Sequence, residues 1–371
     1  MMASLLILFQ LLCADVLTLT RALSVVNDGY HQHNQHYDAH PKSPIDSSQF
    51  PLFSNNYFLS QPLSILFEND RILAIDKPSG ISHHDSGLMD DDHDDDPSQH
   101  SQKAFGILSH LRQLQTLGKL QHTGRLFGVH RLDQVTSGIL LLAKDAGMAS
   151  QLTRAFREGR VTKYYVGLSQ RSSPPKKQGW IRGHMVRGRR KTWLLTPNTP
   201  LPQLPSSDNK AGNDPSSHPP NNNINNMAVT RFFTAGLGNL PPPTTMLSTT
   251  PVASPRTCIL FRPYTGRTHQ LRVAAKAMGL ALLGDPLYRD GSSSHLADQV
   301  SSIRTCLHAA GLHVQLEGDA SPITIWSRPP FGQLFWNDTS TIESFDQVTL
   351  RLMDKHCDCP ALRELLLLEQ R

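Results

Sequence analysis

The chain has 371 residues, of which 38% are hydrophobic and 18% charged, so it is long enough for one or two folded domains. Lysine and arginine outnumber aspartate and glutamate by 36 to 31, and the resulting net charge of +5 suits a polyanionic partner without requiring one. The five cysteines are odd in number and scattered, which excludes the disulfide framework of a small secreted domain and favours a reducing compartment.

The N-terminal segment, residues 1–24, contains an apolar run from Leu5 to Ala14. At about ten residues this run is too short to cross a bilayer, so no stable membrane insertion is expected. The segment has the length of a targeting signal, but it lacks a basic residue ahead of the run, and Asp15 is unfavourable in a mitochondrial presequence. Two interpretations stay open: a targeting segment that leads to an organelle, either plastid or mitochondrion, and a frayed terminus of a cytoplasmic protein.

Composition divides the remainder of the chain into folded and irregular stretches. Residues 25–60 are rich in His, Asn, Ser and Pro without apolar periodicity, which predicts a disordered linker. A folded domain is predicted over residues 61–341 and a helical tail over residues 342–371. Three stretches within the domain, one acidic and two rich in Pro, Asn and Ser, are predicted to be insertions: about 89–103, 196–227 and 238–255. The acidic insertion is interpreted as a solvated surface loop rather than a metal site, because like charges repel.

The first predicted elements are a hairpin and a helix. SILFENDRILAIDKPSG contains two short apolar runs on either side of a polar turn made by Glu68, Asn69 and Asp70, which predicts a β-hairpin. The segment AFGILSHLRQLQ has helical spacing, with four apolar residues on one face: Phe105, Leu108, Leu111 and Leu114.

Next along the chain, GILLLAKD is a nearly continuous apolar run of strand length. Asp145 can cap the helix that follows, AGMASQLTRAFREGR, whose apolar face holds Met148, Leu152, Ala155 and Phe156. TKYYVGL then predicts another strand.

The last predicted elements are four strands and one helix. AVTRFF and CILFRPY predict strands, Thr268 can cap the helix HQLRVAAKAM, and Gly279 can end it. CLHAAGLHVQLE and PITIWSRPP predict two further strands. Because helices and strands do not alternate regularly and hairpins are common, the predicted fold class is α+β, with a mixed or antiparallel sheet core and flanking helices.

Two segments combine charge and turn chemistry in a way that a plain core does not need. In GVHRLDQVTSGILLLAKD, Asp133 lies in a polar turn just before a strongly apolar strand, where a carboxylate can act as a nucleophile or general base. In PYTGRTHQLRVAAKAMGLALLGDPLYR, Arg267 and Arg272 lie at a helix start, where cations are unfavourable for the helix dipole, so we expect an anionic partner. From the residues alone, an Arg–Asp surface pair and a helix cap are an equally open interpretation.

Together these segments, HRLDQVTSGILLLAK and TGRTHQLR…LLGDPLY, resemble the signature motifs of the RluA-type pseudouridine synthases, which convert uridine in RNA to its carbon-linked isomer. ILFENDRILAIDKPSGI is similar to the opening hairpin of that family, the Lys163 to Tyr165 segment to its K-x-Y strand, and LHAAGLHVQL to its C-terminal strand. The resemblance covers about residues 63–331 if the insertions are left out. It implies the pseudouridine synthase fold and makes residues 61–341 the catalytic domain.

Residue by residue, the resemblance implies that Asp133 is the catalytic aspartate and that Arg272 pairs with it, which would keep the carboxylate ionised. It implies that Tyr165 stacks on the target base and assists proton removal at carbon 5. Arg131 would fill the gap left when the target base leaves its helix, a step that costs a few kcal/mol. Four further residues are expected to contact RNA: His130, Lys163, Arg267 and His269.

RNA contact has separate support in the segment RGHMVRGRRKTW. Trp193 in this segment and Trp180 just before it can stack on bases, and its cations can neutralise phosphates. The cations expected to do so are Arg182, Arg187, Arg189, Arg190 and Lys191. A solvated basic hairpin is the alternative.

The family's chemistry requires neither a metal nor an organic cofactor, and none is predicted. Two clusters of possible metal ligands are interpreted as tail composition: His31, His33, His36 and His40, and His356, Cys357 and Cys359.

Two departures from the family pattern leave the target RNA open. VAAK follows HQLR where many members have a histidine, and residues 1–60 contain no recognisable S4-type RNA-binding module.

The sequence therefore predicts a monomeric RNA pseudouridine synthase that flips a uridine of ribosomal or transfer RNA out of its helix and does not act on DNA. One alternative is an RNA-binding or assembly factor that keeps the fold without catalysis. Another is a metal-dependent hydrolase that uses the Asp and His tracts. Release of tritium from carbon 5 of uracil would distinguish the synthase from the RNA-binding factor. Metal-stimulated cleavage of the RNA chain would indicate the hydrolase.

Overall fold

A computed structural model describes residues 63–85, 105–169, 171, 174–189, 191–196, 226–240, 254–288, 305–318, 321–329 and 339–368. Several predictions from the sequence lie outside these residues: the targeting segment, the linker, the acidic insertion, the cluster from His31 to His40, and Arg190. In the described part of the chain no helix is long and apolar enough to cross a membrane.

The described residues contain eleven strands and five helices, which confirms the predicted α+β class. The strands are β1 (Ile65–Glu68), β2 (Ile72–Lys77), β3 (Phe127–Gly128), β4 (Ser137–Ala143), β5 (Val161–Ser169), β6 (Gln178–Arg187), β7 (Trp193–Thr196), β8 (Met227–Leu240), β9 (Ser254–Pro263), β10 (Leu307–Val314) and β11 (Ile323–Trp326). The helices are α1 (Ile107–Thr116), α2 (Ala146–Arg157), α3 (Gln270–Ala277), α4 (Thr339–His356) and α5 (Pro360–Leu368). The chain divides into two compact units, the first from residues 1–161 and 309–328 and the second from residues 162–308 and 329–371.

In the first unit the strands follow the order β1, β2, β4, β10, with β11 on β10 and β3 also paired to β4. The β1–β2 hairpin has the turn that the sequence predicts. Its Asn69 side chain accepts the main-chain N–H groups of Arg71 and Ile72 at 3.0 and 2.8 Å, which closes the turn. Every residue of β4 is buried, as its continuous apolar run predicts.

Helix α2 packs on this sheet with the predicted face. Met148, Leu152 and Ala155 are buried in the apolar cluster of the first unit. The side chain of Asp145 accepts the N–H of Met148 at 2.7 Å, so the predicted N-cap is confirmed.

Helix α1 differs from its prediction in phase. Its buried apolar residues are Ile107, Leu111 and Leu114, whereas Phe105 precedes the helix and Leu108 is only half-buried. The helix begins after Gly106 because Asp85, far upstream, binds its first turn. Asp85 accepts the N–H of Gly106 at 2.7 Å and the hydroxyl of Ser109 at 2.9 Å.

In the second unit the antiparallel strands follow the order β5, β9, β8, β6, β7. The β8–β9 hairpin stays paired as far as Leu240 and Ser254, so the insertion predicted over 238–255 is shorter than expected. Thr196 and Met227 likewise belong to strands, which shortens the insertion predicted over 196–227.

The sheet of the second unit has two faces with different coverings. On one, the α3 face, Phe232 and Phe261 pack against Leu271 of α3. On the other, the α4 face, Phe233 stacks on His356 at the end of α4, with ring centroids 4.1 Å apart. Because side chains alternate along each strand, the paired register assigns every strand residue to one of these faces.

Candidate active site

Asp133 lies in the turn between β3 and β4, half-buried, and its main-chain oxygen accepts the N–H of Thr136 at 3.0 Å. The strand that follows is fully buried and is fixed at its start by Gly138, which has a φ of +110°. A Cβ at Gly138 would lie 2.3 Å from the main-chain oxygen of Ala309, so only glycine fits there. The turn is therefore carried on a rigid base, as the sequence predicts.

A buried lysine fixes the Asp133 turn from the β2 side. The Lys77 side chain is fully buried, and its ammonium donates to the main-chain oxygens of Ile81 at 2.9 Å and Gln134 at 3.4 Å. The N–H of Gly80 donates to the same Gln134 oxygen at 2.7 Å. The sequence offered a signal for this anchor, a lysine at the end of a buried strand before Pro-Ser-Gly, but its role was not predicted.

His130 holds the turn from the other side. Its Nε2 accepts the N–H of Leu141 at 2.8 Å, and its ring stacks on Phe156 of α2 with centroids 4.5 Å apart. The structure thus gives His130 a packing role in the first unit, and its predicted RNA contact stays a prediction. Arg131, the next residue, is exposed.

His83 lies beside β3 and is buried. The imidazole packs against Gly128 of β3, where a Cβ would come 2.9 Å from its Nε2. Burial, aided by the positive charges of His84, Arg131 and Lys77, lowers the pKa of His83 from 6.5 to about 4. Its Nδ1 has no hydrogen-bond partner among the residues that the structure describes.

The His83→Gln variant is expected to resist acid better than the natural protein. The unfolded chain binds a proton at His83 below about pH 6.5, whereas the folded chain binds it only near pH 4. The contribution of neutral His83 to stability is complete above pH 6.5 and is lost as the pH falls towards 4. Between pH 7.5 and 4.5 the variant should lose about 2 to 3 kcal/mol less unfolding free energy in urea titrations. The exposed neighbour gives the control His84→Gln, and equal acid losses in all three proteins would contradict the expectation.

In the second unit, Arg272 is buried on α3 and is paired with Asp285. Its Nε and Nη2 donate to the two carboxylate oxygens at 2.7 and 2.8 Å, and the side chains are 3% and 0% exposed. Asp285 also accepts the N–H groups of Leu287 and Tyr288, at 2.9 and 3.1 Å. This bidentate pair fixes the plane of the guanidinium.

Tyr288 completes the setting of Arg272. The guanidinium carbon lies 5.0 Å from the centre of the Tyr288 ring, and the Tyr288 hydroxyl lies 2.8 Å from Nδ1 of His269. The same hydroxyl accepts the N–H of Trp193 at 2.9 Å. Asp285 and Tyr288 both belong to the LLGDPLY motif, which resembles a signature motif of the RluA-type synthases. The sequence analysis predicted no role for either residue.

The start of α3 corrects a prediction: Thr268 does not cap the helix. The N-cap is His269, whose φ of +57° is left-handed, and no side chain caps it. The Gln270 side-chain oxygen instead accepts the N–H of Arg267 at 2.9 Å and the hydroxyl of Thr265 at 2.8 Å. The side chain of Gln270, the first helical residue, thus folds back and fixes the turn before the helix. Gly279 ends the helix region with a φ of +67°, as predicted.

Tyr165 and Lys163 lie on β5 beside this segment. Tyr165 is opposite Phe261 and packs on the apolar cluster that includes Leu271, the neighbour of Arg272. A Cβ at Gly266 would lie 4.0 Å from the Lys163 ammonium. Burial and the charge of Arg262 lower the pKa of Lys163 from 10.5 to about 8, so its charge is easily lost above neutral pH.

The predicted basic segment is divided between the two faces of the sheet. Arg187 pairs with Trp193, which packs with Val273 on the α3 face. Trp180 and Arg182 lie on the α4 face, because residues of opposite parity along β6 point to opposite sides. Arg189 is exposed in the β6–β7 turn, and Arg267 is exposed before α3.

Within the described residues no group of three or more His, Cys, Asp or Glu side chains is arranged to hold a metal ion. Cys357 and Cys359 are buried thiols, and His356 stacks on Phe233. His356, Cys357 and Cys359 therefore pack at the C-terminal helices.

Comparison with known proteins gives a family match over the same residues. The family described as RNA pseudouridylate synthase matches residues 71–277, a range that includes Asp133, Tyr165 and Arg272. An uncharacterised RNA pseudouridine synthase of Haemophilus influenzae is 29% identical over 283 residues, which cover 76% of this chain and 93% of that protein.

Two named relatives and one solved structure are also similar. The ribosomal large subunit pseudouridine synthase C of Vibrio parahaemolyticus is 28% identical, over 68% of this chain and 61% of its own length. The tRNA pseudouridine synthase C of Haemophilus ducreyi is 27% identical, over 71% of this chain and 89% of its own length. The structure of human RNA pseudouridylate synthase domain containing 4 superimposes with a TM-score of 0.49 at 22% identity, covering 76% of this chain and 92% of that chain.

Proposed function

The chain belongs to the RNA pseudouridylate synthase family, whose members are isomerases that act on RNA, and on that premise we propose that it converts specific uridines of ribosomal or transfer RNA to pseudouridine with Asp133 as the catalytic aspartate. The observation that carries the proposal is the setting of Asp133. Within the matched residues, a half-exposed carboxylate stands on a turn that a buried lysine and a buried strand hold rigidly.

The reaction needs three events, and the proposed roles divide among them. The bond from N1 of the base to C1′ of the ribose breaks, the base turns, and a new bond forms between carbon 5 and C1′. Carbon 5 then loses its proton while N1 gains one, so that the product is an isomer of the substrate. We assign the Asp133 carboxylate to the carbon–nitrogen bond cleavage and Tyr165 to the removal of the carbon 5 proton, as the family resemblance implies.

Arg272 is proposed to serve the carboxylate rather than the base. The family resemblance implies that this guanidinium pairs with the catalytic aspartate and orients it. Contacts within the second unit support this role, because Asp285 and Tyr288 fix the orientation of the buried Arg272 guanidinium. Such fixing suits a positioning residue, because a free arginine side chain would have to be ordered at each turnover.

The substrate class is proposed from the relatives. Their names include one ribosomal and one transfer RNA enzyme, and both are similar to this chain at nearly equal identity, so either RNA is a candidate. Exposed arginines on the α3 side of the second unit, Arg187 and Arg267, support binding of a polyanion.

Release of tritium from RNA labelled at carbon 5 of uracil tests the proposal, because that hydrogen leaves only when the carbon–carbon bond forms. The full chain would be incubated with labelled ribosomal and transfer RNA from cells that lack the protein, so that the target uridine is unmodified. We expect release over several turnovers per protein molecule from one of the two RNAs. Binding of both RNAs without release would contradict the proposal and favour an RNA-binding factor.

A further inference from the structure

Three arginines and two exposed aromatic residues lie together on the α4 face of the second unit. Trp180, Arg231 and Arg262 are direct neighbours across β6, β8 and β9, so their side chains form one row. Arg182, two residues further along β6, and Tyr264, just after β9, extend the row. The exposed rings are those of Trp180, 44% exposed, and Tyr264, 40% exposed.

The rings and cations of this row contact one another. Arg182 and Arg231 lie 4.6 and 5.6 Å from the centre of the Trp180 ring. The Tyr264 ring is 5.2 Å from that of Trp180, and Arg262 lies 4.1 Å from the Tyr264 ring. Trp180 is therefore held between two guanidinium groups and a second aromatic ring.

The C-terminal segment makes one end of the row rigid and neutral. Asp358 accepts the Nε–H of Arg262 at 2.6 Å and the hydroxyl of Tyr264 at 3.3 Å. Burial raises the pKa of its carboxyl, but the hydrogen bonds from Tyr164, Arg262 and Tyr264 lower it on balance. The Tyr164 hydroxyl donates to the same carboxylate at 2.6 Å. Arg262 is thus balanced by a carboxylate, while Arg182 and Arg231 give the exposed end of the row its positive charge.

This arrangement fits single-stranded RNA better than an apolar protein surface. An unstacked base can lie on an exposed ring, and the neighbouring guanidinium groups can bind the phosphates on either side of it. Two exposed lysines, Lys176 and Lys177, stand at the start of β6 and continue the positive charge. Charge complementarity therefore selects a polyanion with exposed bases as the partner.

We propose that Trp180, Tyr264, Arg182 and Arg231 form a second RNA-binding surface, which stacks a single-stranded segment of the substrate away from the target uridine. The proposal rests on the proposed function in that the RNA is taken to be the substrate. The surface lies on the sheet face opposite the one that packs on α3, which carries Arg272. Its loss is therefore expected to raise KM and leave kcat nearly unchanged.

Photo-cross-linking gives the most direct test. The probe is an oligonucleotide of about 12 nucleotides containing 5-iodouridine, a length in the range that one single-strand surface covers. After irradiation with the full chain, mass spectrometry should find cross-links on the peptides that contain Trp180 and Tyr264. Cross-links confined to other peptides would overturn the proposal.

Affinity for the same oligonucleotide, measured by fluorescence anisotropy, gives the second readout. Trp180→Ala with Tyr264→Ala should weaken binding about 10-fold or more, and Trp180→Phe should restore stacking. Arg182→Gln with Arg231→Gln should reduce the slope of log K against log salt by about 1.4. Arg154→Gln with Arg157→Gln, two exposed positions on α2 in the first unit, serves as a charge-matched control.

Three outcomes are decisive, and they separate this surface from the proposed isomerase activity. Cross-links at Trp180 without tritium release by the natural chain would support the surface and refute the isomerase proposal. Tritium release with unaltered KM and affinity in the stacking variant would refute the surface alone. Unaltered RNA affinity together with a changed sedimentation coefficient would refute it in favour of a surface for self-association.

Discussion

Replacing Asp133 by asparagine is expected to lower the rate of pseudouridine formation by about 10⁴-fold, because the proposed reaction assigns the bond-breaking step to this carboxylate. Asparagine has the same shape, and the turn is held by main-chain hydrogen bonds that do not involve the side chain, such as that from Thr136 to the Asp133 oxygen. The fold and the RNA affinity should therefore stay near those of the natural protein. Single-turnover tritium release measures the rate.

The control for this variant is Asp70→Asn, which removes the same charge from an exposed residue of the β1–β2 turn. Its rate should match that of the natural chain within about twofold, as for most surface substitutions. A tenfold or smaller loss in the Asp133 variant would show that another group performs the chemistry, since general acid–base catalysis alone contributes about 10² or more.

Replacing Asp285 by asparagine is expected to have the largest effect on stability. The Arg272 and Asp285 side chains are almost completely buried, so removal of the negative charge leaves a buried guanidinium without its partner carboxylate. Breaking such a pair from one side costs about 3 to 5 kcal/mol. The free energy of unfolding, measured by urea titration at pH 7, should fall by that amount.

An exposed ion pair supplies the contrast. Arg154 and Glu317 lie 3.2 Å apart with side chains 47% and 67% exposed, so Arg154→Gln should cost less than about 1 kcal/mol. Turnover of the Asp285 variant, assayed at a temperature where circular dichroism shows it folded, should also fall, because Arg272 would lose its fixed orientation. A stability loss as small as that of Arg154→Gln would contradict the account of the buried pair.

The features that the sequence predicted correctly depend on neighbouring residues. The Asn69 turn, the Asp145 cap and the buried run of β4 each follow from a few consecutive positions, because turn chemistry, capping and apolar continuity are local properties. The two signature motifs predicted the family because each preserves a long run of residue types.

The features that the sequence did not predict depend on contacts between distant segments. Asp85, which precedes the acidic insertion, binds Gly106 and Ser109 at the start of α1 and so helps to fix where the helix begins. Gln270 folds back over the turn before α3, and its side-chain amide donates to Thr230 of β8 at 2.9 Å. Local preference for a threonine cap could not include that partner.

The basic segment shows a pattern that was present in the sequence but was not used. Trp180 and Arg182 stand at odd spacing from Arg187 on the same strand, β6, and strand alternation alone assigns residues at odd spacing on one strand to opposite faces. Treating the segment as one patch combined two surfaces. Only the register with β8 and β9 adds Arg231 and Tyr264 to one of them.

The most direct test of the central claim compares pseudouridine positions across all cellular RNAs in cells with the natural protein and in cells with Asp133→Ala. If Asp133 is the catalytic residue of an RNA pseudouridine synthase, one or a few positions disappear in the variant cells, and those positions identify the substrate. An unchanged set of positions, with the variant expressed and folded, would contradict the claim.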